Sequence, residues 1–157
     1  MVSPEMLRRY PFFADMEDAW IKAIAMISEE VSIKPGDMLY ETGTPSQKLF
    51  LLMEGCVEIY LVIKDSSDPT FHKEFYVDDI NPGEVFGLSS LGETHNHSSS
   101  TRVSRAGKVL RTDASRLSEL CDADPLLGYK LMKQFAKTAL ERLELTRVLL
   151  AAARRAA

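Results

Sequence analysis

Hydrophobic residues between Glu29 and Thr112 recur mainly at every second position, the period of a β-strand whose two faces differ. The alternation is clearest from Val57 to Ile63. Turns rich in glycine and proline interrupt the segment at short intervals, as in Pro35-Gly36-Asp37 and Asn81-Pro82-Gly83. Short strands separated by turns, without long helices between them, predict a β-sandwich or jelly roll and not a parallel α/β sheet.

Helical patterns lie on both sides of this segment. From Asp15 to Ile27 apolar residues recur at steps of three and four, which predicts an amphipathic helix capped by Asp15. Asp124-Pro125 predicts the start of a long helix, because an acidic cap followed by proline is typical of a first turn. We therefore predict one domain, residues 1–157, that is mainly β with flanking helices. Its parts are an N-terminal helix, a double-stranded β-helix (jelly roll) over about 29–112, and a C-terminal helix over about 125–153.

Composition and charge favour a globular protein. The net charge is -4 and 27% of residues are charged, so the whole chain does not have the basic balance of nucleic-acid-binding proteins. The segment after Pro125 has seven Lys/Arg residues and two Glu, which indicates a solvated helix face or, alternatively, a basic surface for nucleic acid or membrane. No stretch approaches the length of a membrane span. Cys56 and Cys121 have no close spacing, which predicts free thiols and a cytoplasmic location.

The segment from Asn81 to Ala106 carries the most specific motif. Its residues Pro82, Gly83, Phe86 and Gly87 match the pattern Pro-Gly-x-x-Phe-Gly-Glu. This segment resembles the phosphate-binding cassette of the cyclic-nucleotide-binding domain family, which includes catabolite-activator regulators, regulatory subunits of kinases, and gated channels. The resemblance extends over nearly the whole chain, through Ile33–Asp37, Leu49–Val57 and Leu110–Ala114 in the family's order.

Two positions of the cassette depart from the family pattern. Leu88 stands where the family has the Glu that binds the ribose, and Ser99 stands where it has the Arg that neutralises the cyclic phosphate. The resemblance therefore implies that cyclic nucleotide binding is weak, altered or lost. The nearest cation in sequence, Arg102, is expected to face away from the pocket. The expected ligand-binding residues are Phe86, Gly87, Leu88, Ser89, Ser99, Ser100 and Thr101.

By this resemblance the chain is a regulatory module that senses a small molecule and is not an enzyme. The effector is a cyclic nucleotide or another small molecule, and no other cofactor is expected. Seven positions of the last helix approximate a heptad, which favours a homodimer, although a core helix explains much of the same pattern. They are Tyr129, Met132, Ala136, Ala139, Leu143, Thr146 and Leu150. No helix-turn-helix follows this helix, so we expect no DNA reading by that motif, and a protein partner remains open.

His95 and His97 provide the alternative. Cupins share the jelly-roll architecture and use His-x-His as metal ligands, since in a strand both imidazoles point to one face. The following residues, Ser98 to Arg102, do not continue the cupin pattern, and the remaining histidine, His72, precedes the pair. The simpler interpretation is two exposed loop histidines. We therefore predict no metal site and no catalytic residues, with a cupin-like metal-dependent enzyme as the alternative.

Overall fold

The computed structural model describes residues 1–91 and 96–157 and consists mainly of antiparallel strands flanked by helices, which confirms the predicted fold class. None of the described helices is both long and apolar enough to cross a membrane. The elements in chain order are α1 (Pro4–Leu7), a 3-10 helix (Pro11–Phe13), α2 (Asp18–Met26), β1 (Ser28–Ile33), β2 (Lys48–Lys64), β3 (His72–Ile80), β4 (Val85–Phe86), a second 3-10 helix (Leu88–Leu91), β5 (Ser100–Asp113), α3 (Ala114–Ala123) and α4 (Pro125–Ala156).

The strands form one antiparallel sheet in the order β1-β5-β2-β3, and the short β4 pairs with β2 through Phe50 and Phe86. The pairing of β2 with β5 shifts register between Leu52 and Val57. Such irregularities bend a strand and increase its twist, so they curve the long β2 and β5 into a roll. Within the described residues the sheet does not close into a barrel.

Gly107 allows the two long strands to approach at this bend. A Cβ atom at position 107 would lie 1.9 Å from the carbonyl oxygen of Glu54 and 2.6 Å from the amide nitrogen of Gly55. Both neighbours are backbone atoms that a side chain cannot displace without moving a strand. The close approach of β5 to the bend of β2 therefore requires a glycine at position 107.

Strand β2 is buried on both faces at its start, which explains the continuous apolar run Leu49–Leu52. Leu49 and Leu51 belong to a core shared with the helices, whereas Phe50 and Leu52 belong to the interior of the roll. The alternation of side chains along a strand divides the run between these two cores. The helix-side core includes Phe12, Phe13, Trp20, Ile21, Ile24, Leu117, Leu127 and Leu131, and the roll interior includes Ile33, Val57, Ile80, Phe86, Val103 and Val109.

The helix boundaries agree with the sequence patterns at α4 but not at α2. The prediction that Asp15 caps the first amphipathic helix is wrong, because α2 begins at Asp18 and its N-cap position is Glu17. The 3-10 helix Pro11–Phe13 leads into a further turn, with the amide of Met16 donating to the carbonyl of Phe13 at 3.2 Å, and this turn occupies the residues around Asp15. At α4 the Asp124 carboxylate accepts from the amides of Leu126 and Leu127, as predicted.

Candidate ligand-binding site

A cavity of about 250 Å³ lies between the roll and α4. The segments 87–89 and 97–99 form one side of it, β2 and β3 contribute its inner wall, and the middle of α4 forms the other side. The lining residues are Tyr40, Ile59, Val77, Asp78, Ile80, Gly87, Leu88, Ser89, His97, Ser98, Ser99, Arg142, Thr146 and Leu149.

Gly87 sets the path of the chain into this cavity. It has a φ of +75°, and a Cβ atom there would lie 3.0 Å from the carbonyl oxygen of Lys48 and 3.1 Å from the ring of Phe50. Both the left-handed backbone and the close approach to β2 favour glycine. The chain therefore leaves β4, turns at Gly87 against β2, and presents Leu88 and Ser89 to the cavity.

Four of the seven predicted ligand-binding residues line the cavity: Gly87, Leu88, Ser89 and Ser99. The other three do not. Phe86 is fully buried below the cavity, where its ring stacks on Phe50 with centroids 5.1 Å apart.

Ser100 and Thr101 instead bind the backbone of the segment 39–42. The Ser100 hydroxyl accepts from the amide of Thr42 at 2.9 Å. The Thr101 hydroxyl lies 3.2 Å from the amide of Leu39 and 3.1 Å from the amide of Tyr40. These two buried side chains therefore hold the segment that carries Tyr40 to the cavity.

His97 and Tyr40 form a stacked pair in the cavity wall, with ring centroids 3.8 Å apart and planes 5° apart. The interpretation of His97 as an exposed loop residue is wrong, because only 5% of it is exposed. Its backbone is held by two hydrogen bonds, from its amide to the carbonyl of Thr44 and from the amide of Gly43 to its carbonyl. Burial lowers the pKa of His97, which favours the neutral imidazole.

The Nδ1 atom of His97 lies 3.4 Å from the Ser89 hydroxyl and 3.5 Å from the Ser46 hydroxyl. His95 lies outside the described residues, so the proposal that the two histidines bind a metal stays a prediction. Among residues 1–91 and 96–157 there is no group of three potential metal ligands.

The sequence patterns did not indicate Tyr40 or Arg142. Burial raises the pKa of Tyr40, so its phenol is a neutral hydrogen-bonding group at the cavity. The guanidinium of Arg142 reaches from α4 and donates to the carbonyl of Val85, and burial lowers the pKa of Arg142. Because 57 positions separate Arg142 from Val85, no local motif connects them. Arg142 also belongs to the basic segment that the sequence presents as a solvated helix face.

The expectation for Arg102 is confirmed. Its guanidinium lies 3.2 Å from the Glu74 carboxylate and 4.8 Å from the centre of the Tyr60 ring, outside the cavity. The cation of this cavity therefore comes from α4 and not from β5.

A sequence model described as the cyclic nucleotide-binding domain matches residues 30–124, more than half of the chain. The chain belongs to the cyclic nucleotide-binding domain family. A crystal structure of a candidate cyclic nucleotide-binding protein from Geobacter metallireducens GS-15 is 36% identical, with a TM-score of 0.79 over 91% of this chain and 99% of that chain. No curated protein matches this chain.

More distant members of the family share the fold alone. A cyclic nucleotide-binding domain from Methylobacillus flagellatus KT is 17% identical, with a TM-score of 0.74 over 94% of this chain and 80% of that chain. The regulatory domain of Toxoplasma gondii PKA, crystallised with cAMP, is 13% identical, with a TM-score of 0.71 over 88% of this chain and 48% of that chain.

Within the cyclic nucleotide-binding domain fold, this chain has an apolar group and a hydroxyl at the two cassette positions that depart from the family pattern. Leu88 lines the cavity and also packs against the helix-side core, so it offers a ligand no polar contact. Ser99 also lines the cavity, and burial raises the pKa of the Tyr40 phenol, a rise that hydrogen bonding with Ser99 only partly offsets. The cassette thus has one apolar side chain and one hydroxyl group where the family pattern has two charged groups.

Proposed function

We propose that this domain is a regulatory module, not an enzyme, that senses a small molecule in the cavity between the roll and α4. The observation that carries the proposal is the position of the cavity, which touches both the cassette, through Gly87 to Ser89, and the C-terminal helix, through Arg142, Thr146 and Leu149. A ligand there contacts both elements at once and can change how they pack. The free thiols of Cys56 and Cys121 support a cytoplasmic location.

Cyclic mononucleotides are proposed to be poor effectors. The resemblance assigns ribose binding to the position of Leu88 and phosphate neutralisation to the position of Ser99, and neither side chain can perform the assigned role. Hydrogen bonds to charged groups contribute about 1.5–3 kcal/mol each, so two losses correspond to roughly 3–6 kcal/mol of binding free energy. The expected affinity is lower by a factor of roughly a hundred to ten thousand.

Thermal unfolding with cyclic AMP, cyclic GMP and cyclic dinucleotides at millimolar concentration tests this proposal. A ligand at a hundred times its dissociation constant adds about 2.7 kcal/mol to the free energy of unfolding. We expect neither cyclic mononucleotide to raise the unfolding temperature of the natural sequence clearly. The double variant Leu88→Glu/Ser99→Arg is expected to unfold at a higher temperature with a cyclic mononucleotide than without ligand. A clear shift of the natural sequence with cyclic AMP or cyclic GMP contradicts the proposal.

We also propose that the domain forms a homodimer through α4. The predicted heptad positions are exposed in the single chain, including Tyr129 at 61%, Leu143 at 45% and Leu150 at 50%. Their seven-residue spacing suits a second copy of the same helix, because knobs-into-holes packing requires this repeat on both partners. The core-facing residues Leu127 and Leu131 lie on a different face of α4 and leave this row uncovered.

The variant Leu143→Glu is expected to convert the dimer into a monomer, since it places two charges in an apolar seam. Sedimentation equilibrium measures the mass in solution. Val148→Glu is the matched control, because Val148 is also exposed, at 57%, but lies about 140° around the helix from Leu143. A monomeric natural sequence contradicts the homodimer, and in that case the exposed row is available to another protein.

A further inference from the structure

We propose that the outer face of β2 and β3 is a docking surface for a protein partner, and that this partner presents an arginine side chain to it. Ile59 lines the cavity, so the alternation of side chains along β2 directs its neighbours Glu58 and Tyr60 to the opposite face. On β3, Asp79 is paired with Glu58, and Tyr76 is paired with Tyr60. The outer patch is defined by these four side chains, Glu58, Tyr60, Tyr76 and Asp79.

The two carboxylates of the outer patch have no cation of their own. Glu58 and Asp79 stand directly opposite each other on neighbouring strands, an arrangement in which like charges destabilise a sheet. Among residues 1–91 and 96–157, neither carboxylate forms an ion pair within 4.0 Å. Their negative charge is therefore available to a cation from another molecule.

Arg102 shows how this face of the sheet holds a guanidinium. It stands opposite Glu58 in the pairing of β2 with β5, and its guanidinium lies over the Tyr60 ring, 4.8 Å from the ring centre. The same guanidinium lies 3.2 Å from the Glu74 carboxylate. One ring and one carboxylate thus hold the domain's own arginine here, by a cation–π contact and a charge-assisted hydrogen bond.

Tyr76 offers a second ring of the same kind. It is 55% exposed and packs edge-to-face against Tyr60, with ring centroids 6.0 Å apart. Hydrogen bonding to Asp79 raises the pKa of Tyr76 to about 12, so the phenol is an uncharged group beside the carboxylate. Within the described part of the chain no cation lies over this ring. The ring and the two carboxylates therefore repeat, for an arginine of another protein, the surroundings of Arg102.

The chemistry of the outer patch favours arginine over lysine. A planar guanidinium stacks on an aromatic ring and donates to two carboxylates at once, whereas an ammonium is a compact, strongly hydrated point charge. Tyrosine and arginine are also enriched among the residues that dominate the binding free energy of protein interfaces. We expect the partner's arginine to donate to Glu58 and Asp79 with its plane against Tyr76.

The probe is a pentapeptide of alternating glycine and arginine, blocked at both ends and titrated into the full chain, and the readout is the NMR signals of the Tyr76 and Asp79 amides. We expect saturable shifts for the natural sequence. Citrulline in place of arginine keeps the shape but removes the charge, and is expected to weaken binding about tenfold or more. Glu58→Gln/Asp79→Asn is expected to weaken binding of the arginine peptide by a similar factor. Tyr76→Ser is expected to weaken it about two- to fivefold.

Glu119→Gln/Asp122→Asn is the matched control for charge. It removes two carboxylates from exposed positions of α3, which follows the far end of β5. Charges distant from the outer patch are screened in about 0.15 M salt, so we expect the control to bind the arginine peptide as the natural sequence does. Equal weakening in the two double variants overturns the assignment, because the peptide would then respond only to net charge.

Thermal unfolding separates binding from folding. Glutamine and asparagine keep an acceptor for the Tyr60 and Tyr76 phenols and remove two opposed charges. Glu58→Gln/Asp79→Asn is therefore expected to unfold at the same temperature as the natural sequence or a higher one. A lower unfolding temperature overturns the assignment, because the carboxylates would then serve the fold.

Four results of the titration also overturn the assignment. They are the absence of a saturable shift, equal binding of the citrulline peptide, equal binding of a peptide with lysine in place of arginine, and unchanged binding in Glu58→Gln/Asp79→Asn. Shifts of the Tyr76 and Asp79 signals with protein concentration alone would assign the outer patch to a contact between copies of this chain instead.

Discussion

Replacing Phe86 with alanine is expected to lower the free energy of unfolding by about 3–5 kcal/mol, the range for deleting a buried aromatic ring. Phe86 is fully buried in the roll interior. Its ring stacks on Phe50 at 5.1 Å, with planes 17° apart, and lies 6.3 Å from the ring of Tyr40. Strands β2 and β5, which contribute Phe50, Leu52, Val103 and Val109 to the roll interior, are each paired on both sides, so they are not expected to collapse into the space. Urea unfolding followed by circular dichroism measures the loss.

Phe75→Ala is the matched control for this change, because it removes the same ring from β3 at a site that is 40% exposed. We expect it to cost less than about 1 kcal/mol. The Phe86→Ala variant should also loosen Tyr40, which rests on the Phe50–Phe86 pair, and so alter the cavity wall. Equal losses of unfolding free energy in Phe86→Ala and Phe75→Ala would contradict this prediction, because the buried ring would then contribute no more to stability than the exposed one.

Asp124→Ala is expected to cost about 2–4 kcal/mol, because one side chain supports two helices. One carboxylate oxygen accepts from the amides of Leu126 and Leu127 at the start of α4, at 3.2 and 3.3 Å. The other oxygen accepts from the indole N–H of Trp20 in α2 at 2.7 Å. Alanine removes the cap and leaves the indole donor unpaired. Trp20 is the single tryptophan of the chain, so its fluorescence reports the local change as well as global unfolding.

The variant Asp124→Asn separates these two contributions. Asparagine has one acceptor oxygen and one amino group, so it keeps the helix cap but cannot also accept from the Trp20 indole. We expect its free energy of unfolding to lie between those of the natural sequence and Asp124→Ala. Asp122→Ala, at an exposed position of α3, controls for the loss of a nearby charge. An Asp124→Asn variant as unstable as Asp124→Ala would assign the whole effect to Trp20.

Features that depend on neighbouring residues could be predicted from the sequence. Asp124-Pro125 predicted the start of α4, and the two turns named from the sequence each contain a glycine with a positive φ, Gly36 and Gly83. Each follows from the local chemistry of a cap or a turn. The start of α2 could not be predicted in this way, because the chain from Pro11 to Met16 forms a 3-10 helix and a turn whose hydrogen bonds compete with those of an earlier helical start.

The candidate site could be predicted only in part, since half of it comes from residues distant in sequence. The cassette motif located Gly87, Leu88, Ser89 and Ser99. Arg142 has no local signature, because its role arises only when α4 folds back against β4. His97 has the sequence surroundings of an exposed loop, yet its pairing with the segment 43–44 buries it. Periodicity and turn signals do not contain such long-range pairings.

Because α4 is long and is buried mainly near its start, a small movement near its middle is enlarged at its far end. The helix has 32 residues and is about 48 Å long. Its buried residues, Leu127 and Leu131, lie in the first two turns, and every residue from Leu143 onwards is exposed. Measured along the helix axis from Leu131, Arg142 lies about 16 Å away and the far end of α4 lies about 37 Å away. If α4 turns as a rigid body about Leu131, a displacement of Arg142 by about 1 Å moves the far end of the helix by about 2.3 Å, so a small movement in the cavity wall is more than doubled there.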